Sequence, residues 1–320
     1  MSNNWQPAAP PATLKKRAAF LHAIREFFYQ RNVTEVDTPT LTATPVTDPH
    51  IDALRTQAFQ GSHHKTFYLS TSPEFYMKRL LAAGSGDIYQ MGKVFRDNEQ
   101  GSLHSTEFTM LEWYRTGFDH LMLMKEVDEL VQQLLATPAA DCMTYQAAFL
   151  EFAEVDPFTA TDAELMDCVR SHGIELTATL MERDGWLALL LTHVVEPCLG
   201  QTRPVFITDF PPSQSALARI RKGPYDVAER FELYYKGIEL ANGYHELTDS
   251  VEQQRRFQAD LEMRSQSNKA TFGYDEMLLA ALESGLPPCA GVALGVDRLF
   301  MLSESCKNIH ECLAFSVNSF

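Results

Sequence analysis

The segment KVFRDNEQGSLHSTEFTMLEWY, residues 93–114, constrains the fold of this chain most strongly. Two alternating apolar runs flank a polar loop that contains a glycine, and the second run spans residues 108–114. This pattern predicts a strand, a long loop and a returning strand. Arg96 stands where the first strand ends, and Glu112 and Tyr114 are two residues apart, so on a strand their side chains project from the same face. Such a hairpin suits a nucleotide beside a small cationic molecule, although many hairpins carry an arginine that is simply solvated.

The composition is that of a globular chain with an acidic excess. Of the 320 residues, 45% are hydrophobic and 22% are charged, which is ordinary for a soluble protein with a substantial core. The chain has no apolar run of about eighteen residues and no apolar signal core near its start, so we expect neither a membrane span nor secretion. The six cysteines form no CxxC pair, which argues against a zinc ribbon and fits a reducing cytoplasm. The formal net charge of −15 argues against RNA as the main partner.

The N-terminal part contains a predicted helix and strand, followed by a segment without clear periodicity. Residues 1–12 are rich in proline and alanine, and we expect them to form a loose arm. Thr13 is the predicted N-cap of an amphipathic helix, and residues 33–36 form a short predicted strand. Residues 40–66 are predicted to be irregular, and the two adjacent histidines within them are better explained as exposed loop residues than as metal ligands.

The next segment, FYLSTSPEF, predicts a strand over residues 67–71 and a helix over residues 73–83. Thr71 or Ser72 is a suitable N-cap, and the spacing of Thr71 and Glu74 fits a capping box. Helix capping alone is enough to explain these residue types.

Further elements are predicted from caps and apolar spacing. Asp119 and Asp275 each cap a predicted helix. Residues 137–203 form a helix-rich stretch, with helices near 144–153, 162–172 and 182–195, followed by a strand at 205–208 and a polar helix at 253–268.

A second stretch with chemical potential is RFELYYKGIELANGYHELTD, residues 230–249. It begins with strand alternation and turns at a Lys–Gly pair. Glu239 and Glu246 are hard oxygen ligands suited to Mg²⁺ beside a triphosphate. Their spacing alone fits two solvated glutamates equally well.

A third stretch is GVALGVDRLFML, residues 291–302. Its small residues permit close backbone approach, and the apolar run around Arg298 predicts a helix. By itself this pattern is a modest signal.

Taken together and in this order, these stretches resemble the class II aminoacyl-tRNA synthetases in their lysyl form. Residues 93–114 resemble motif 2, residues 291–302 resemble motif 3, and the first helix and strand resemble motif 1, which implies a homodimer. The resemblance implies an α+β fold in which helices flank an antiparallel β-sheet. It places the catalytic domain at residues 13–320, with residues 137–203 as a helical insertion.

The resemblance also implies the site residues and the cofactors ATP and Mg²⁺. Arg96 and Arg298 would be catalytic, and Glu239 and Glu246 would hold the metal. The implied ATP-binding residues are Arg96, Asn98, His104, Ser105, Phe108, Glu239, Leu240, Gly295 and Arg298. The implied substrate-binding residues are Ser72, Glu74, Glu112, Tyr114, Asn242, Glu246 and Ala293.

Two features resemble the short lysyl-tRNA synthetase paralogues that ligate (R)-β-lysine to a lysine ε-amino group of elongation factor P. We expect no anticodon-binding domain, because motif 1 begins almost at the start of the chain. Ala293 stands where lysyl-tRNA synthetases have glycine. Elongation factor P is therefore the implied acceptor, and tRNA is not expected to be one.

Motif 2 of this chain departs from the family pattern at two positions. Asn98 stands where a glutamate is expected, with Glu99 next to it, and Ser105 stands where the loop has asparagine. Asn98 could hydrogen-bond the nucleotide without charge, or Glu99 could take the role. Two alternatives stay open: a truncated lysyl adenylate-forming enzyme that acts on tRNA or another carrier, and a catalytically silent paralogue.

Overall fold

The structure, a computed structural model, describes residues 5–61, 63–175 and 182–315. Four stretches lie outside this description: residues 1–4 of the predicted arm, residue 62, residues 176–181 of the predicted insertion and residues 316–320 of the predicted catalytic domain. The helices are α1 (Pro11–Gln30), α2 (Glu74–Ala82), α3 (His120–Leu135), α4 (Tyr145–Phe152), α5 (Asp162–Ser171), α6 (Arg183–Leu190), α7 (Ser250–Gln266), α8 (Glu276–Gly285) and α9 (Val296–Ser303). The strands are β1 (Thr34–Glu35), β2 (Leu41–Thr42), β3 (Arg55–Gln60), β4 (His63–Leu69), β5 (Ile88–Phe95), β6 (Glu107–Thr116), β7 (Asp141–Thr144), β8 (Val205–Phe210), β9 (Ile220–Arg221), β10 (Val227–Tyr235), β11 (Ile238–His245) and β12 (Cys289–Gly295).

The chain divides into two compact units. The first comprises Met1–Gly117, Thr248–Cys289 and Ala293–Phe320, and the second comprises Phe118–Leu247 and Ala290–Val292. Within the described ranges, no helix combines the length and the apolar character needed to cross a membrane.

The first unit is built on the predicted hairpin. Strands β5 and β6 pair antiparallel from Ile88 opposite Tyr114 to Phe95 opposite Glu107, and β1 adds to β5 in parallel. Helix α1 packs aromatic side chains against β5. The rings of Phe28 and Tyr89 stack with a centroid distance of 4.4 Å. Burying large aromatic surfaces in this way supplies much of the stabilisation of a small core. The hairpin prediction is confirmed.

A separate three-stranded sheet of the first unit was not predicted. Strands β2, β4 and β3 pair in that order over residues 41–69, so the prediction of an irregular segment at 40–66 was wrong. The first four residues of β4 are exposed, and polar side chains occupy both faces. A sheet with two polar faces lacks the period-two apolar pattern on which strand prediction depends.

Two predicted helix starts are also corrected. Helix α1 begins at Pro11 with Pro10 as its N-cap, so Thr13 lies inside the helix. The capping box of Thr71 and Glu74 does not form, because Glu74 is the first helical residue. The backbone N–H of Glu74 instead donates a hydrogen bond to the Ser72 hydroxyl at 3.3 Å.

The second unit joins the predicted helices to a mixed sheet. Strand β7 pairs in parallel with β8, β8 pairs antiparallel with β10, and β10 forms a hairpin with β11. Helices α4, α5 and α6 lie where helices were predicted, and a π-helical turn at Leu191–Val195 continues α6. Their apolar faces surround a core in which Tyr145 stacks on Phe149 at 4.4 Å. The described chain thus has the predicted α+β class, with parallel pairs that make its sheet mixed.

Candidate active site

The β5–β6 hairpin places Arg96 at its open end, as predicted. The backbone N–H of Arg96 donates to the carbonyl of Thr106 at 2.9 Å, one residue beyond the last strand pair. The Arg96 guanidinium carbon lies 5.3 Å from the centre of the Phe108 ring, within the range of a cation–π contact. The arginine is therefore held over an aromatic face instead of extending into solvent.

Five side chains of the first unit meet at this end of the hairpin, and we call them the hairpin cluster: Arg96, Glu99, His104, Phe108 and Arg298. Glu99 bridges the set, with one carboxylate oxygen 3.7 Å from Arg96 Nη1 and the other 3.9 Å from His104 Nε2. Arg298 Nη2 lies 2.7 Å from His104 Nε2. Residues from the motif 2-like and motif 3-like stretches are thus brought together.

The two candidates for the missing motif 2 glutamate lie in different surroundings. Asn98 is exposed and has a φ of 61°, a left-handed conformation that asparagine tolerates better than most residues. Glu99 is half-buried and contacts the cluster. Ser105, the other departure from the pattern, is only 5% exposed.

Arg298 is positioned by a buried carboxylate that sequence reasoning missed. Asp297, 1% exposed, accepts a hydrogen bond from the backbone N–H of Thr109 at 2.8 Å and forms a close ion pair with Arg17. These contacts fix the start of α9 against β6, and Arg298 then donates from Nε to the Leu103 carbonyl at 3.2 Å. No local sequence signal relates Arg17 to residues near the other end of the chain.

Glu112 and Tyr114 lie side by side on β6, as their spacing predicted. The Tyr114 hydroxyl donates to Glu112 Oε1 at 2.8 Å, and both residues are 2% exposed. A buried carboxylate is costly unless charge or hydrogen bonds compensate it. The predicted contact of this pair with a substrate ammonium stays a prediction.

Glu74 already has an ammonium partner within the chain. Lys78, 1% exposed, donates from Nζ to Glu74 Oε1 at 2.6 Å across one turn of α2. Sequence reasoning missed this lysine, although Glu and Lys four residues apart are a recognisable helical pair. A substrate ammonium at Glu74 would share the carboxylate with Lys78.

In the second unit, a bulge in the β10–β11 hairpin determines which face of the hairpin carries the candidate metal ligand Glu239. The register shifts between Leu233 and Tyr234, so that Asn242 lies opposite Glu232 and Glu239 lies opposite Tyr234. Glu239 and Asn242 are three residues apart, yet the bulge places them on the same face.

A buried polar network supports this face. Arg230 pairs closely with Glu232 and donates from Nε to Asn242 Oδ1 at 3.3 Å. Burial raises the pKa of Glu232; Arg230 opposes that rise and the nearby Glu239 carboxylate adds to it. The Glu239 carboxylate is therefore close enough to Glu232 to affect its pKa.

The other sequence-predicted residues of the second unit lie on or beside β11. Leu240 is 2% exposed, and Glu246 is fully buried just after the strand, where its backbone pairs with Ala218. Carboxylate oxygens are the donors that Mg²⁺ prefers, so the chemistry of Glu239 and Glu246 fits that ion.

Two predicted residues stand on β12. Ala293 is half-buried, and Gly295 precedes α9. A Cβ at Gly295 would lie 3.7 Å from Arg298 Cδ, an ordinary contact, so the described atoms do not by themselves require glycine there. Their predicted roles stay predictions.

The chain is similar to known proteins over nearly its whole length. Residues 8–319 match the family model of the class II tRNA synthetases (D, K and N). The chain is 50% identical over 317 residues to a protein of Hamiltonella defensa, with 98% of each chain covered. It is 51% identical to a protein of Pseudoalteromonas translucida, with 98% of each chain covered, and 46% identical to one of Haemophilus influenzae, with 99% of this chain and 98% of the relative covered. Each of these relatives is named elongation factor P–(R)-β-lysine ligase. The chain belongs to the class II tRNA synthetase family.

Proposed function

We propose that this chain is an ATP-dependent ligase that activates (R)-β-lysine as an adenylate and transfers it to the ε-amino group of one lysine of elongation factor P. The observation that carries this proposal is the similarity, over 98% or more of the chain, to relatives that share one name. The geometry of each unit supports the individual steps.

The hairpin cluster is suited to bind ATP. Arg96 and Arg298 offer planar guanidinium groups that can hold phosphate oxygens through paired hydrogen bonds. Phe108, whose ring centre lies 5.3 Å from the Arg96 guanidinium carbon, would stack against the adenine. Two fixed cations beside the phosphates would stabilise the charge that develops at the α-phosphate.

Glu239 and Glu246 are the residues that would hold Mg²⁺ in the second unit. When bound, the ion neutralises phosphate charge. The buried pairing of Arg230 with Glu232 keeps Asn242 and its neighbours in place on this face. These residues therefore orient and bind, and no covalent role is required of them.

The buried Glu112–Tyr114 pair would receive the side-chain ammonium of the lysine-like substrate. The hydroxyl of Tyr114 already orients one carboxylate oxygen at 2.8 Å. Ala293 in place of glycine adds one methyl group, which fits a substrate whose second amino group is displaced by one carbon.

The reaction consists of two substitutions. A carboxylate oxygen of β-lysine forms a bond to the α-phosphorus while the bond to the pyrophosphate oxygen breaks. The neutral ε-amine of the acceptor lysine then forms an amide bond with the acyl carbon, AMP leaves with the electron pair of the acyl–oxygen bond, and the amine proton passes to solvent. We further propose a homodimer, which the likeness of the first helix and strand to motif 1 implies, and a cytoplasmic location, which the scattered cysteines favour.

ATP–pyrophosphate exchange with (R)-β-lysine and with α-lysine, measured side by side, tests the activation step. Exchange that favours β-lysine, followed by addition of one β-lysyl group to elongation factor P in an intact-mass measurement, is the expected result. Exchange with neither amino acid would favour the silent paralogue. Activation of α-lysine followed by transfer to tRNA, with no gain of mass on elongation factor P, would favour the truncated lysyl enzyme.

A further inference from the structure

Three potential metal ligands meet on the other face of the β10–β11 hairpin. Arg230 lies opposite Tyr244, so the next pair along the strands is Glu229 and His245, and their side chains lie within 2.6 Å, from Oε2 to Nδ1. His120, the first residue of α3, completes the group, because α3 packs against β10 and β11. One ligand atom from each residue lies within 4.8 Å of the other two. We call this group the His–Glu–His cluster.

Strand alternation separates this cluster from the proposed Mg²⁺ ligands. Asn242 shares a face with Glu232, whereas Gly243 and His245 share the opposite face with Phe231 and its neighbours. A cation bound at this cluster would therefore be distinct from the proposed Mg²⁺.

His120 supplies the observation that points to a ligand. The residue is 3% exposed, and its Nδ1 is buried without a hydrogen-bond partner among the described residues. A buried nitrogen left without a partner costs free energy, and native structures contain few of them. Glu229 and His245 have side chains that are each 17% exposed, which leaves a path from solvent to the cluster.

The electrostatic surroundings favour a cation. Burial lowers the pKa of His120, while the carboxylates of Glu229, Asp119 and Asp209 act in the opposite direction. A neutral imidazole within a negative field is the form that binds a metal ion.

We propose that His120, Glu229 and His245 bind one divalent cation of the zinc class, with water in the remaining position. Two imidazole nitrogens and one carboxylate form a donor set typical of zinc and unlike the all-oxygen set that Mg²⁺ prefers. Metal–ligand bonds of about 2.0–2.2 Å require His245 and Glu229 to separate slightly and His120 to approach, which side-chain rotation can provide. The bound ion would connect the first turn of α3 to the end of the β10–β11 hairpin.

The test uses untagged full-length protein, stripped with chelator and titrated with Co²⁺ in the absence of nucleotide. The variants His120→Gln, Glu229→Gln and His245→Gln each remove one ligand. His22→Gln, at an exposed position of α1, is the matched control. We expect one equivalent of Co²⁺ with the visible spectrum of nitrogen and oxygen ligands, and an affinity about tenfold or more weaker in each ligand variant but unchanged in the control. Zn²⁺ should compete for the site and raise the melting temperature of the wild type but not of His245→Gln.

Several outcomes would overturn the proposal. The first is that the wild type does not bind Co²⁺. The second is that binding survives each of the three substitutions. The third is a sulfur-to-cobalt charge-transfer band, which would assign the ion to cysteine. Loss of binding in Glu239→Gln, with none in the three ligand variants, would place the ion at the Mg²⁺ ligands instead. Because His120→Gln could fold poorly, His245→Gln at a partly exposed position provides the same test without disturbing a buried helix start.

Discussion

Arg298 Nη2 and His104 Nε2 lie 2.7 Å apart, although 194 positions separate the two residues in the chain. The arginine of the third stretch therefore supports the loop of the first. Because Glu99 contacts both Arg96 and His104, the two arginines that are proposed to hold the phosphates are linked through Glu99 and His104.

Replacing Arg96 with alanine should abolish adenylate formation while leaving the fold intact. The guanidinium is proposed to bind a phosphate oxygen in the transition state, and loss of such a contact costs roughly a hundredfold or more in rate. ATP–pyrophosphate exchange measures the loss. Arg170→Ala, which removes an exposed arginine of α5, should retain wild-type exchange. Near wild-type exchange by Arg96→Ala would remove this residue from the mechanism.

Asn98→Glu should leave the KM for ATP within about twofold of the wild-type value, because Glu99 already occupies the cluster and a φ of 61° disfavours glutamate. Glu99→Gln should raise that KM several-fold. Glu107→Gln, at a half-exposed position that pairs with Lys93, is the control. A marked fall in KM for Asn98→Glu would show instead that the departure from motif 2 is a real loss.

Glu112→Gln should raise the KM for the lysine-like substrate far more than the KM for ATP, because it removes the buried charge that is proposed to face the ammonium. Tyr114→Phe removes one hydrogen bond to that carboxylate, worth about 1 kcal/mol, and should raise the same KM about fivefold. Tyr29→Phe, at a residue 78% exposed, should change neither value. Equal effects on both substrates would assign the pair a structural role.

Asp297→Ala should lower the free energy of unfolding by about 3 kcal/mol or more, because it leaves Arg17 in a largely buried position without its carboxylate. Lys16→Ala breaks a pair whose lysine is 62% exposed, and should cost less than about 1 kcal/mol. Urea unfolding of the two variants measures the difference. Similar small losses would mean that Asp297 acts mainly by placing Arg298.

Gly243→Ala should destabilise the second unit by about 1–3 kcal/mol, since overpacking a core carries such a cost. An added Cβ would lie 2.3 Å from Phe231 Cζ and 2.9 Å from Val292 Cβ. At Gly92 the nearest atom would be Gln90 Nε2 at 3.6 Å, so Gly92→Ala provides a strand control without a clash. Thermal unfolding of the two variants would reveal the difference, and equal melting temperatures would contradict it.

The strands and helices that carry most of the candidate residues could be predicted, because their patterns are local. Alternation fixed which face of β6 carries Glu112 and Tyr114, and Asp119 caps α3 as predicted, accepting from the Met122 N–H at 2.8 Å. The three-stranded sheet escaped prediction because its exposed strands lack an apolar face. Periodicity alone could not show that Glu239 and Asn242 share a face, because that arrangement depends on a bulge.

Contacts distant in sequence could not be predicted from residue spacing. The pair of Arg17 and Asp297 joins α1 to α9, and neither residue carries a local signal for the other. The pair of Glu74 and Lys78 was visible as helical spacing, but its burial was not. The resemblance to motif 2 suggested two explanations for Asn98, and residue spacing could not show that the loop brings Glu99 into contact with the hairpin cluster.

The bulge between Leu233 and Tyr234 makes this hairpin intolerant of changes in length. Inserting or deleting one residue between the bulge and Asn242 would reverse which side chains face each way along the rest of β11. Asn242 would then move to the opposite face, and His245 would leave the face that it shares with Glu229. Substitutions in this segment therefore preserve the strand register, whereas insertions and deletions do not. In relatives of this chain, gaps should be absent between Tyr234 and Glu246 even where the residues differ.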